Sequence, residues 1–158
     1  MAVVLVALTG AFVALYLTMY KLGYIGTLVC AVGSCEKVQT SKWATFLGFP
    51  VGAWGVAYYV GVAVLGLVGL RAALAESVFL SRSLTFITGA GLVFSIWLTY
   101  LELFVIHAIC QWCVISAVLA TALFVICVVD LREVRIGAAD LAADAADSRA
   151  GQGSGSTL

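Results

Sequence analysis

Apolar residues run along this chain in four long blocks that no charge interrupts. Ala2 to Tyr20, Trp43 to Leu70, Ser83 to Leu101 and Cys110 to Val129 each lack Asp, Glu, Lys and Arg. As a helix, a block of ~20 apolar residues crosses a bilayer core about 30 Å thick. It also satisfies its own backbone polar groups, as hydrocarbon demands. The pattern predicts an all-α integral membrane protein: a four-transmembrane-helix bundle with helices over about 2-24, 51-70, 83-105 and 110-129. The first block lacks the basic start of a cleaved signal peptide and runs too long for one, so it is expected to be retained.

Between the blocks little chain is left. An outer loop over about 25-50 is the only polar connection of any size, Arg71 to Arg82 is a compact turn, and Glu102 to Ile109 is almost no loop. After Val129 charges return at Asp130, Arg132, Glu133 and Arg135, followed by a tail of Ala, Asp, Gly and Ser. The membrane domain is therefore expected over 1-135. The remainder, 136-158, is expected to be a disordered tail with at most a helical turn or two around Ala138 to Ala146, since such a composition cannot bury a core.

Composition narrows the class further. With 64% hydrophobic and 10% charged residues, the chain carries far less charge than the roughly one quarter usual in soluble domains. Eight basic against eight acidic residues leave no basic surface for nucleic acid. Arg71, Arg82, Arg132, Arg135 and Arg149 lie on one side of the expected spans, against Lys21, Lys37 and Lys42 on the other. The positive-inside rule then puts both termini in the cytoplasm.

Four of the five cysteines form two pairs, Cys30 with Cys35 and Cys110 with Cys113. One pair follows a single crossing and the other follows three, so both reach the same face. On the outer face disulfides persist, in keeping with the arginine count. Cys110 and Cys113 make a C-x-x-C at the start of the last span, where a helix N-terminus favours a thiolate. Cys113 lies one turn deeper than Cys110, within reach of a lipid-soluble oxidant. A quinone takes up the two electrons and two protons that a dithiol releases on closing. Cys30 and Cys35 lie in a loop with Gly33, Ser34, Glu36 and Lys37, expected to be mobile and reachable by a soluble protein. By thiol–disulfide exchange such a pair could carry electrons from the water phase to Cys110.

Cys30 and Cys35, the run Glu36, Lys37, Val38, Gln39, Thr40, Ser41, Lys42, Trp43, then Gly48, Phe49, Pro50, Val51, Gly52, and lastly Cys110, Gln111, Trp112, Cys113 together resemble the vitamin K epoxide reductase family. The resemblance covers roughly Leu5 to Asp130. It implies a quinone-dependent thiol oxidoreductase in which Cys113 faces the quinone, Cys35 attacks Cys110, and Cys30 exchanges with a periplasmic or extracytoplasmic thioredoxin-fold protein. Ser41, or its neighbour Thr40, resembles the family's hydroxyl residue beside the active pair. The implied acceptor is ubiquinone, menaquinone or phylloquinone, and the implied setting is a prokaryotic cytoplasmic membrane. Two departures stand out: the loop pair has the close spacing of prokaryotic members, and Ala117 replaces the tyrosine of vertebrate ones, which argues against vitamin K epoxide as the natural substrate. A fused thioredoxin domain is missing, so the partner is expected to be a separate protein.

Trp54, Tyr58, Phe94 and Trp97 are candidates to line a pocket for a quinone ring, against simple packing between helices. Cys127 is expected to pack as a small apolar side chain. His107 could favour a thiolate or relay a proton, or be a plain polar contact. Glu102 is expected to be solvated near an interface rather than catalytic. Two other readings are open: a DsbB-like thiol oxidase, whose C-x-x-C precedes the widely spaced pair instead of following it, and a non-enzymatic membrane protein with structural disulfides or a zinc held by four cysteines.

Overall fold

In the computed structural model, which describes the backbone of residues 1–71 and 77–154 and side chains as far as 146, the chain is almost wholly helical. Helix α1 spans Ala2–Lys21; a short α2 spans Cys35–Thr40 and leads through a 3-10 turn, Lys42–Ala44, into a hairpin of β1, Thr45–Phe46, and β2, Phe49–Pro50. Helices α3, Val51–Gly69, and α4, Val78–Tyr100, follow; α4 widens into a π-helical segment, Leu101–Ile106, before α5, Gln111–Ser154. Among the described residues four helical stretches are long and apolar enough to cross a membrane: Ala2–Lys21, Val51–Gly69, Val78–Ile106 and Gln111–Ala146.

Small residues let the helices approach closely, as packing in lipid requires. On α1 the buried positions Val4, Ala7, Gly10, Val13, Ala14, Leu17 and Thr18 recur every three or four residues, forming one stripe. Tyr59 of α3 fills the hollow at Gly10, where a Cβ would collide with its ring. Its hydroxyl reaches α5, donating to the Ser116 carbonyl at 2.8 Å, so one side chain ties three helices. At the other end of the bundle the Ser81 hydroxyl bonds Asp130 at 2.6 Å, and Thr85 donates to the Cys127 carbonyl at 3.1 Å, joining α4 to α5. Cys127 itself is buried in the apolar core with Tyr59, Val62, Leu84 and Leu123.

The helix ends differ from the expected ones in physically intelligible ways. The third span begins at Val78 rather than near 83, because Arg82 is carried on an exposed helical face and does not interrupt the helix. Ser77 caps its first turn, its side chain accepting from the Leu80 amide. Of the turn expected over Arg71 to Arg82, residues 72–76 lie outside the described residues. The tail expected to be disordered over 136-158 instead continues α5 to Ser154. Alanine dominates much of it and no proline interrupts, so helix propensity carries the helix on although residues 136–146 are exposed.

Candidate functional site

Both cysteine pairs lie at one end of the bundle. Cys35, Cys110, Leu17 and Val38 form a second buried cluster, with Cys30, Cys113 and Trp112 packed against it. Cys30 and Cys35 are joined as a disulfide with Cα atoms 6.3 Å apart, whereas Cys110 and Cys113 are free thiols. Cys110 is fully buried and Cys35 is 2% exposed.

The loop carrying the first pair is docked, contrary to the expectation that it is mobile. Gly33 forms an antiparallel bridge with Cys110, and the Ser34 amide donates to the Ile109 carbonyl at 2.9 Å. Gly33 has φ +90°, and a Cβ there would strike the Ile109 carbonyl, so glycine alone permits the approach. The two residues between Cys110 and Cys113 complete the clamp. The Gln111 side-chain oxygen accepts from the Ala31 and Val32 amides at 3.0 and 3.2 Å, and the Trp112 indole donates to the Val29 carbonyl at 2.9 Å. The Trp112 ring rests on Tyr16, whose hydroxyl accepts from the Val29 amide. Polar backbone that would otherwise face water is thus satisfied by the neighbouring C-x-x-C, which orders the loop.

Cys110 precedes the first residue of α5, where backbone donors converge. Its thiol is held below the ordinary cysteine range, first by the Cys113 side chain and then by the Cys113 and Trp112 amides, against its own burial and the nearby Glu102 carboxylate. Gln39 reaches over Cys113, its amide nitrogen 4.0 Å from the sulfur, while Lys21 bonds the Gln39 carbonyl at 2.6 Å.

Beside Cys113 opens a cavity of about 470 Å³, within the ~300–1,000 Å³ usual for small-molecule sites. It runs down the bundle between α3, α4 and α5, lined mainly by apolar and aromatic side chains, with Gln39, Ser41 and Glu102 near the cysteine end. Of the four aromatic residues expected to line a pocket, Trp54, Tyr58 and Phe94 do so. Trp97 stands in the ring cluster with Phe46 and Phe94, at centroid distances of 6.0 and 5.6 Å. Phe46, from the hairpin, is the centre of that cluster and also touches Trp54. Ser41 lines the cavity while its hydroxyl donates to the Val38 carbonyl at 2.7 Å; Thr40 is exposed and bonds back to Glu36.

The largest departure from expectation is Glu102, which is 5% exposed rather than solvated. The π-helical segment explains it. The wider turn brings residue 102 inward, and His107, at φ 52°, reverses the backbone so that the Cys110 amide meets the Glu102 carboxylate at 3.0 Å. His107 is itself exposed. Sequence reasoning gave no role of their own to Gln39 and Gln111; Gln111 is an uncharged polar residue directly beside Cys110 in an otherwise apolar stretch, whereas Gln39 sits in a polar run that sets it apart from nothing. Among the described residues no three His, Cys, Asp or Glu side chains form a metal-ligand set. Compared with known families, residues 1–128 match the family model described as the vitamin K epoxide reductase family.

Proposed function

The chain belongs to the vitamin K epoxide reductase family, and on that premise we propose that this integral membrane oxidoreductase makes disulfides for export and passes the electrons to a membrane quinone. One observation carries the reading: Cys35, Cys110 and Cys113 lie in one buried cluster that borders an aromatic-lined cavity. The dithiol of a thioredoxin-fold partner attacks Cys30, and Cys35 leaves as a thiolate. The partner's second thiol then closes the partner's own disulfide and frees Cys30, and Cys35 attacks Cys110 of the oxidised C-x-x-C, giving a mixed disulfide and freeing Cys113. Resolution by Cys30 restores the loop disulfide and leaves Cys110 and Cys113 reduced, the redox state described above. Closing the second pair delivers two electrons and two protons to the quinone. Trp54, Tyr58 and Phe94 are the walls against which its ring would stack, and Ser41 and Gln39 the polar groups near its oxygens.

Purified protein in detergent, given a dithiol donor and short-chain ubiquinone or menaquinone analogues, is expected to reduce at least one of them. Absence of turnover with every quinone would refute the reading. In the proposed orientation the cysteine pairs face outward and both termini lie in the cytoplasm, as the arginine distribution favours. After reduction of intact cells, a membrane-impermeant maleimide is expected to label Cys30 and to leave an exposed cytoplasmic probe, Arg71→Cys, unlabelled. The opposite labelling pattern would invert the topology.

A further inference from the structure

Glu102 is a carboxylate where membrane helices rarely keep one. It is buried, its side chain accepts from the Cys110 amide at 3.0 Å, and it lines the same cavity as Cys113. Among the described residues no cation pairs with it. The polar group reaching Cys113 from α2 is the uncharged Gln39 amide, and the ammonium of Lys21 is turned to the Gln39 carbonyl. A carboxylate kept only for structure would pair with an arginine or reach water, since burial of an unpaired charge is strongly unfavourable. This one borders both the sulfur that must lose a proton and the cavity that holds the acceptor.

We propose that Glu102 is a catalytic residue of quinone reduction, taking the proton of the Cys113 thiol and handing it to a quinone oxygen. The inference rests on the quinone reading above. In the complete step two S–H bonds break and one S–S bond forms between Cys110 and Cys113. The electron pair released reduces the quinone ring, and two O–H bonds form on its oxygens. Glu102 carries the proton from Cys113 and ends as it began, while the proton of Cys110 leaves as the disulfide closes and supplies the second oxygen. The π-helical turn is what brings the carboxylate to the thiol, because a regular α-helical continuation of α4 would set residue 102 at a different angle about the axis.

The test is Glu102→Gln, which keeps an oxygen for the Cys110 amide but cannot carry the proton. Steady-state reduction of short-chain ubiquinone and menaquinone analogues is expected to fall by about 10²–10⁴-fold, the usual range for loss of a general acid–base group. Glu102→Asp should recover part of it. Alkylation of reduced Cys113 by N-ethylmaleimide, followed by peptide mapping, is expected not to slow, since losing a neighbouring negative charge makes the thiolate easier to form. Turnover of Glu102→Gln within threefold of the wild type would overturn the proposal. So would turnover and alkylation falling together, which marks a structural role. A wild-type protein whose Cys113 alkylates normally but which reduces no quinone would overturn the quinone reading, and this proposal with it.

Discussion

Cys113→Ala is expected to abolish quinone reduction and to trap Cys35 in a disulfide with Cys110. The expectation follows from where three sulfurs sit. Cys35 and Cys110 are buried in the same cluster, whereas Cys113, one turn further along α5, lines the cavity. In the variant the Cys110 thiolate attacks Cys35 of the loop disulfide and expels Cys30, and no Cys113 thiol is present to resolve the cross-link from the deep side. Cys110 keeps the donors that stabilise its thiolate except the Cys113 side chain itself, so it still forms the bond. Non-reducing peptide mapping of protein isolated from cells is the measurement. A majority species joining Cys110 to Cys35 is expected; a majority joining it to Cys30 would reverse the order of the loop cysteines.

Gly33→Val is expected to separate the two pairs without unfolding the bundle. Valine at φ +90° is strained, and its Cβ would meet the Ile109 carbonyl that the Ser34 amide now bonds. The loop would have to lift from Cys110, and displacement of reacting groups by as little as 1 Å can cost ~10²-fold in rate. Electron transfer from a protein dithiol to quinone should slow by about that factor. A small, permeant dithiol that reduces Cys110 and Cys113 directly should retain near wild-type turnover. Stopped-flow quinone absorbance with each donor decides it. Equal slowing with both donors would place the defect in the deep pair and refute the docking role.

How much of this was legible in the sequence varies with the physics. The spans were, since charge-free runs of bilayer length leave few alternatives, and the odd number of crossings before each cysteine pair placed both at one end. The start of α4 was not: reading Arg82 as a boundary ignored that a helix can carry a charge on an exposed face near its end. The extension of α5 was missed because low hydrophobicity was read as disorder when an alanine-rich run sustains helix without a core. In the site, Trp54, Tyr58 and Phe94 were accessible to reasoning from position and chemistry. Glu102 was not, because its burial depends on a π-helical turn that a 3.6-residue periodicity does not anticipate. Docking of the loop was hidden for another reason. It rests on backbone groups at Val29, Ala31 and Val32 meeting Gln111 and Trp112, and backbone donors carry no signature in the choice of side chain.

The unequal burial of the loop disulfide has a consequence for regiochemistry. Cys35 is almost wholly enclosed while Cys30 is half-buried at the surface, so an incoming thiolate, which must line up with the S–S axis, finds only the sulfur of Cys30 open to approach from water. Every attack from outside therefore expels the same leaving group, and expels it inward. A symmetric, fully exposed disulfide would be opened at either end, and half of those events would strand the free thiolate in water, far from Cys110. Enclosure would thus make a chemically symmetric bond react from one end only.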